Sequence, residues 1–132
     1  MTTRAALLAL AERIEREAPS LELLDRVLLA SGWRVKGDSF IDPKGEAWVP
    51  WHLTDWRLDP MRSLDAAVAT VPADEKNLPY EMKFLMHKSG RATVILIAFM
   101  YGEVTATAAT PAAALTAASL RARAAMMDDV GG

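Results

Sequence analysis

No cysteine occurs among the 132 residues. That excludes a disulfide, a thiolate metal site and a cysteine nucleophile. Histidine is nearly as scarce: His52 and His87 are the only two, and no His-Glu-x-x-His or other ligand spacing includes them. No Gly-x-Gly-x-x-Gly or Gly-x-x-x-x-Gly-Lys-[Ser/Thr] loop supports nucleotide binding, and no Gly-x-Ser-x-Gly elbow presents a serine nucleophile. No catalytic residue, cofactor or metal is therefore expected. Excess charge of one sign is missing too. A net charge of −2 supplies no basic footprint for nucleic acid and is too small for a DNA mimic. No apolar run approaches the roughly 20 residues of a membrane span. The first residues meet charge at Glu12 and Arg13 without a signal-peptide core. The expectation is a cytoplasmic protein with no membrane and no direct nucleic-acid partner.

What is present reads as one globular domain. A hydrophobic content of 52% beside 24% charged residues is that of a folded chain. The length allows roughly two-thirds of the unfolded surface to be buried. No repeat or linker divides it, so residues 1–132 are expected to form a single compact domain, ordered over about 3–127 with a frayed 128–132 tail. The longest apolar run is Arg91–Tyr101, bounded by Lys88-Ser89-Gly90 and Gly102. Its β-branched residues Thr93, Val94, Ile95 and Ile97 favour a strand over a helix. With Ile95, Ile97 and Phe99 on one face and Val94, Leu96 and Met100 on the other, it calls for cover on both sides, which helices at the chain ends could supply.

Around this run the chain divides at its caps and turns. Thr3 is placed to cap a first helix with Leu7, Leu10, Ile14 and Ala18 inward and Arg4, Glu12, Arg13, Glu15, Arg16 and Glu17 outward, the mixed signs of a solvated face. After Pro19, Ser20 caps a second helix with Leu21, Leu24, Val27 and Leu28 along one face and Gly32 as its stop. Trp33–Val35, Ser39–Ile41 and Glu46–Val49 read as short strands, with Asp42-Pro43-Lys44-Gly45 as a turn. Asp59-Pro60 or Ser63 caps a short helix carrying Leu64, Ala67, Val68 and Val71 inward. Tyr80–His87 alternates as a strand, pairs with the central run, and is followed by Val104–Ala109, giving an antiparallel meander. Thr110-Pro111 starts a last helix running to about Met127, whose alanines 113, 114, 117, 118 and 122 allow close approach to the sheet. Arg121 and Arg123 near its end suit the helix dipole. The fold class is α/β in the layered α+β sense: a mainly antiparallel sheet sandwiched between helices, with an N-terminal helical pair and a C-terminal helix.

Two features bear on function. The first is Trp48-Val49-Pro50-Trp51-His52-Leu53-Thr54-Asp55-Trp56, which holds three of the four tryptophans in a loop-like stretch. Aromatic residues with nearby charge have the composition of interface anchors, and the alternative is that Trp48 and Trp51 are lids on the core. The candidate partner-binding residues are Trp51, His52, Asp55, Trp56 and Arg57, with Trp56 the preferred anchor.

The second is a resemblance. Thr105–Leu115 followed by Ala118–Arg123, together with Leu24-Asp25-Arg26 through Gly32-Trp33-Arg34 and Arg62–Pro72, resembles the phage ABA-sandwich domain family, small proteins of phages and prophages. The resemblance implies a sheet between helical layers and a phage or prophage origin. It brings no catalytic residue with it. The function expected is a non-enzymatic accessory protein that binds a host or phage protein stoichiometrically, such as an anti-CRISPR-like inhibitor of a host defence complex. The alternatives are a virion or assembly component, or an enzyme with an unrecognised site. A homodimer is left open.

Overall fold

A computed structural model of the chain describes residues 3–48, 59–72 and 81–127. In chain order these form α1 (Arg4–Arg16), α2 (Leu21–Ala30), β1 (Arg34–Lys36), β2 (Ser39–Ile41), β3 (Ala47–Trp48), α3 (Leu64–Val68), β4 (Glu81–Met86), β5 (Ala92–Ala98), β6 (Gly102–Ala108) and α4 (Pro111–Met126). The architecture is α+β, with two three-stranded antiparallel sheets ordered β1-β2-β3 and β4-β5-β6. The expected meander is present, and the cap residues act as read. Thr3, Ser20, Ser63 and Thr110 each accept the backbone N–H of the residue three positions on. Of the two starts considered for α3, Ser63 is its cap. Asp59 closes the preceding turn by accepting the Met61 N–H.

The most buried of the described helices is α4, in which every residue from Ala112 to Leu120 is buried. One side of it lies on β5 and β6, and α1 and α3 pack around the rest. A helix surrounded in this way has no room for bulky side chains on all faces, which accounts for alanine at 113, 114, 117, 118 and 122. Its two buried hydroxyls are satisfied locally: Ser119 donates to the Leu115 carbonyl, and Thr116 reaches the Ala112 and Pro60 carbonyls. The last of these bonds ties the 59–63 turn to the helix.

Several expected inward residues are placed elsewhere. In β5, Ala92, Val94, Leu96 and Ala98 are buried toward α4, while Ile95 and Ile97 lie half-buried on the opposite face among Glu81, Lys83, Glu103 and Thr105. No described helix covers that opposite face. Among the described residues the cover expected on both sides is present on one, because the helices from both ends of the chain pack against each other. The strand also stops at Ala98. Residues 99–101 turn toward Gly102 (φ 72°), leaving Phe99 86% exposed and Tyr101 buried.

Leu21, the first residue of α2, is exposed, and Leu23 takes the inward position. Ala18 lies beyond the end of α1 and is exposed. Leu64 and Val68 are also exposed, since a helix of five residues presents little more than Ala67 to its neighbour. On β4 only Met82 is partly buried; Phe84 and Met86 extend past the cover that α4 gives to β5 and β6.

Candidate functional site: a two-tryptophan cleft

The preferred anchor residues from the sequence, Trp51, His52, Asp55, Trp56 and Arg57, lie outside the described residues. What the structure places is the base from which that segment leaves, and a cleft is built there.

One wall comes from the end of α2. Gly32 takes a φ of 101°, and the Trp33 N–H reaches back to the Leu28 carbonyl (3.0 Å), a helix termination that turns the chain sharply and sets the Trp33 indole beside the hairpin. The small sheet follows. Asp42 organises its second turn by accepting the Lys44 and Glu46 N–H groups (2.9 and 2.8 Å) and the Trp48 indole N–H (3.1 Å). Desolvation pushes the Asp42 carboxyl up, but bonds from the Trp48 indole and the Glu46, Lys44 and Gly45 backbones outweigh it and hold the group below the usual aspartate range. Asp42 therefore fixes both the turn and the orientation of Trp48.

The opposite wall is α3 and its exit, through Asp65, Ala66, Ala69 and Thr70. It is held to the core by Arg123, whose guanidinium donates to the Thr70 carbonyl through Nε and Nη2 (3.3 and 3.0 Å). Arg123 is thus a structural tie rather than a dipole partner alone.

Between the walls lies a cleft of about 450 Å³, within the range of small-ligand and side-chain pockets. Leu28 and Pro60 form part of its buried floor, and Trp33 and Trp48 are half-buried at its sides. Ser31 also lines it. The Ser31 hydroxyl is buried and has no hydrogen-bond partner among the described residues. Three carboxylates (Asp42, Glu46, Asp65) stand at the cleft against one cation, Lys44.

Other candidate features resolve into structure. Glu15, expected on a solvated face, is half-buried. Arg121 grips it with two bonds, one of them 2.8 Å from Nη1 to Oε2. The same carboxylate accepts the Thr107 N–H on the free edge of β6 (2.9 Å), and Arg121 donates to the Thr105 carbonyl beside it (2.9 Å). Arg121 therefore closes a sheet edge. Burial pushes Glu15 up, but Arg121, the Thr107 amide and Arg91 together hold it below the usual glutamate range. Arg13 bonds to Glu17 and Glu22 across the exposed α1–α2 junction. His87 is exposed at the end of β4 and shares a 2.6 Å hydrogen bond with Thr93. Among the described residues no cluster of three metal-ligating side chains occurs, and no described helix is long and apolar enough to cross a membrane.

Sequence reading missed Ser31, Trp33 and Asp65 as site residues because the cleft is assembled from three separate segments. The usable signal was Gly32-Trp33, an aromatic residue placed directly after a helix-terminating glycine. Comparison of the chain with family models, curated proteins and solved structures found no match.

Proposed function

We propose that the protein is a non-enzymatic binding module that engages a partner protein stoichiometrically through the tryptophan cleft and the segment that continues from it. The observation that carries this reading is the cleft itself: two half-buried indoles, an apolar floor and a charged rim, at the point where Trp48 leads into Trp51 and Trp56. Interface hot spots combine these elements, a desolvated aromatic centre ringed by polar groups. The resemblance of residues 24–34, 62–72 and 105–123 to phage ABA-sandwich proteins supports a phage or prophage origin, and with it a host or phage protein as the partner. Inhibition of a host defence complex is one activity that such binding would serve.

The test is paired capture from a bacterial lysate by immobilised full-length protein and by its Trp33→Ala variant, with retained proteins identified by mass spectrometry. A protein retained by the wild type should be weakened roughly 30-fold or more by the variant, the scale of a hot-spot loss of about 2 kcal/mol. Equal retention by the two proteins would place the binding surface elsewhere.

A further inference from the structure

We propose that the cleft seats an arginine of the partner, its guanidinium stacked on the Trp33 indole and paired with Glu46 and Asp65. This rests on the reading of the cleft as a protein-binding site and names the chemistry that it selects.

Glu46 and Asp65 approach the cleft from opposite walls, β3's approach and the first turn of α3. Both are exposed, and neither forms an ion pair with a described residue. Lys44 offsets only part of this, so the described lining of the cleft carries an excess of negative charge beside apolar walls.

A buried hydroxyl without a partner is uncommon in a folded protein, because leaving it unsatisfied costs about 1–3 kcal/mol. Ser31, only 5% exposed and lining the cleft, holds a hydroxyl without a partner among the described residues. A small shift of the cleft wall would open it as one further acceptor to a ligand that brings several donors.

Arginine fits these features together. Its stem is apolar enough for a lining of Leu28, Pro60 and alanine. Its planar head stacks on indole, and its five N–H donors can serve two carboxylates and a hydroxyl at once. Lysine offers a strongly hydrated point charge without the plane. A carboxylate ligand is opposed by the rim. The other bonds at the site are compatible with this occupant, because the Trp48 N–H and the backbone amides around Asp42 are already committed within the turn.

The probes are blocked Gly-Arg-Gly, Gly-Lys-Gly and Gly-Glu-Gly peptides, titrated into the full chain. The readout is the Trp33 and Trp48 indole N–H resonances in two-dimensional NMR, assigned with Trp33→Phe and Trp48→Phe. The arginine peptide should move the Trp33 signal with a dissociation constant on the order of 1 mM, as expected for one side chain. Raising the salt from about 0.05 M to about 0.5 M should weaken it several-fold. Glu46→Gln with Asp65→Asn should weaken it about tenfold, while Lys44→Glu should tighten it. The last change keeps the question open to a gain of function should the double variant prove unstable.

An unmoved Trp33 signal, an equal response to the lysine or glutamate peptide, or indifference to Lys44→Glu overturns the assignment. Those results can be told apart from failure of the binding reading. Loss of partner capture by Trp33→Ala without an arginine response leaves the cleft as an interface for another chemistry. An arginine response without any captured partner leaves the site selective but removes its proposed use.

Discussion

Glu15 shows how much one side chain can hold together when it is only about one-fifth exposed. It links α1 to α4 through Arg121 and to β6 through the Thr107 amide. Removing one partner of a fully buried pair costs about 3–5 kcal/mol; partial exposure here reduces the expected cost of Arg121→Ala to roughly 2 kcal/mol at neutral pH. A carboxyl held below its ordinary range contributes stability above that range and loses it as pH falls through the depressed value. The difference in denaturant midpoint between wild type and Arg121→Ala should therefore be full near about pH 7 and shrink between about pH 5 and about pH 3. A difference that stays constant over this interval would mean that the ion pair is not its source. Leu96 and Ile97 give a second test at the same scale, since adjacent residues of one strand face opposite sides. Leu96 is fully buried against α4, so Leu96→Asp should leave the chain unfolded, with a loss above about 4 kcal/mol. Ile97 sits across from Glu81 and Glu103 on the half-exposed face. Ile97→Lys should fold and melt close to the wild type, and Ile97→Asp should fall between the two because like charges oppose it. Thermal melts of the three variants check the face assignment, and a well-folded Leu96→Asp would reverse it.

Among the elements, α4 sets the tolerance of the fold. It is enclosed along most of its length, so the volume at each inward position is fixed by neighbours on several sides. Ala118→Leu should cost about 1–3 kcal/mol or more by overpacking, whereas Ala125→Leu at the exposed end should change stability by less than about 0.5 kcal/mol. Urea midpoints separate the two, and equal costs would show that the helix can shift to make room. The same enclosure explains which parts of the fold could be read from sequence. Caps and turns are local chemistry, and Thr3, Ser20, Ser63, Thr110-Pro111 and Ser89-Gly90 act where the sequence places them. The meander was legible because strand alternation and the turn between β4 and β5 agree. Which face of an apolar strand is covered is not local. Ile95, Ile97 and Phe99 match their inward neighbours in hydrophobicity, and only the packing of α1 onto α4, instead of across the sheet, decides between them. The cleft was illegible for a related reason. Its walls come from α2, the β1-β2-β3 sheet and α3, and no single segment carries a motif.

At the scale of the molecule, one contiguous cluster of buried residues among those described runs through α1, α2, α3, β5, β6 and α4. The β1-β2-β3 sheet stands outside it: its strands are two or three residues long and none of their residues is fully buried, while Trp33 and Phe40 rest against the cluster from the side. The cleft therefore joins two unequal walls. Its α3 wall is fastened to the core through Arg123, with Thr116 holding the turn before α3, and its hairpin wall rests on the turn that Asp42 organises. Local opening free energies follow such differences in burial and in protected hydrogen bonds. Native-state hydrogen exchange should find the slowest amides in β5 and the middle of α4, with those of β2 exchanging at least about a hundredfold faster, a gap of about 2.7 kcal/mol. If the amides of β2 were as protected as those around Leu96, the hairpin would belong to the main cooperative unit and the cleft would be rigid on both sides. With the expected gap, a ligand held between the walls must draw the hairpin toward the state that it binds. Protection in β1-β2-β3 should then rise with ligand occupancy while that of α4 stays unchanged.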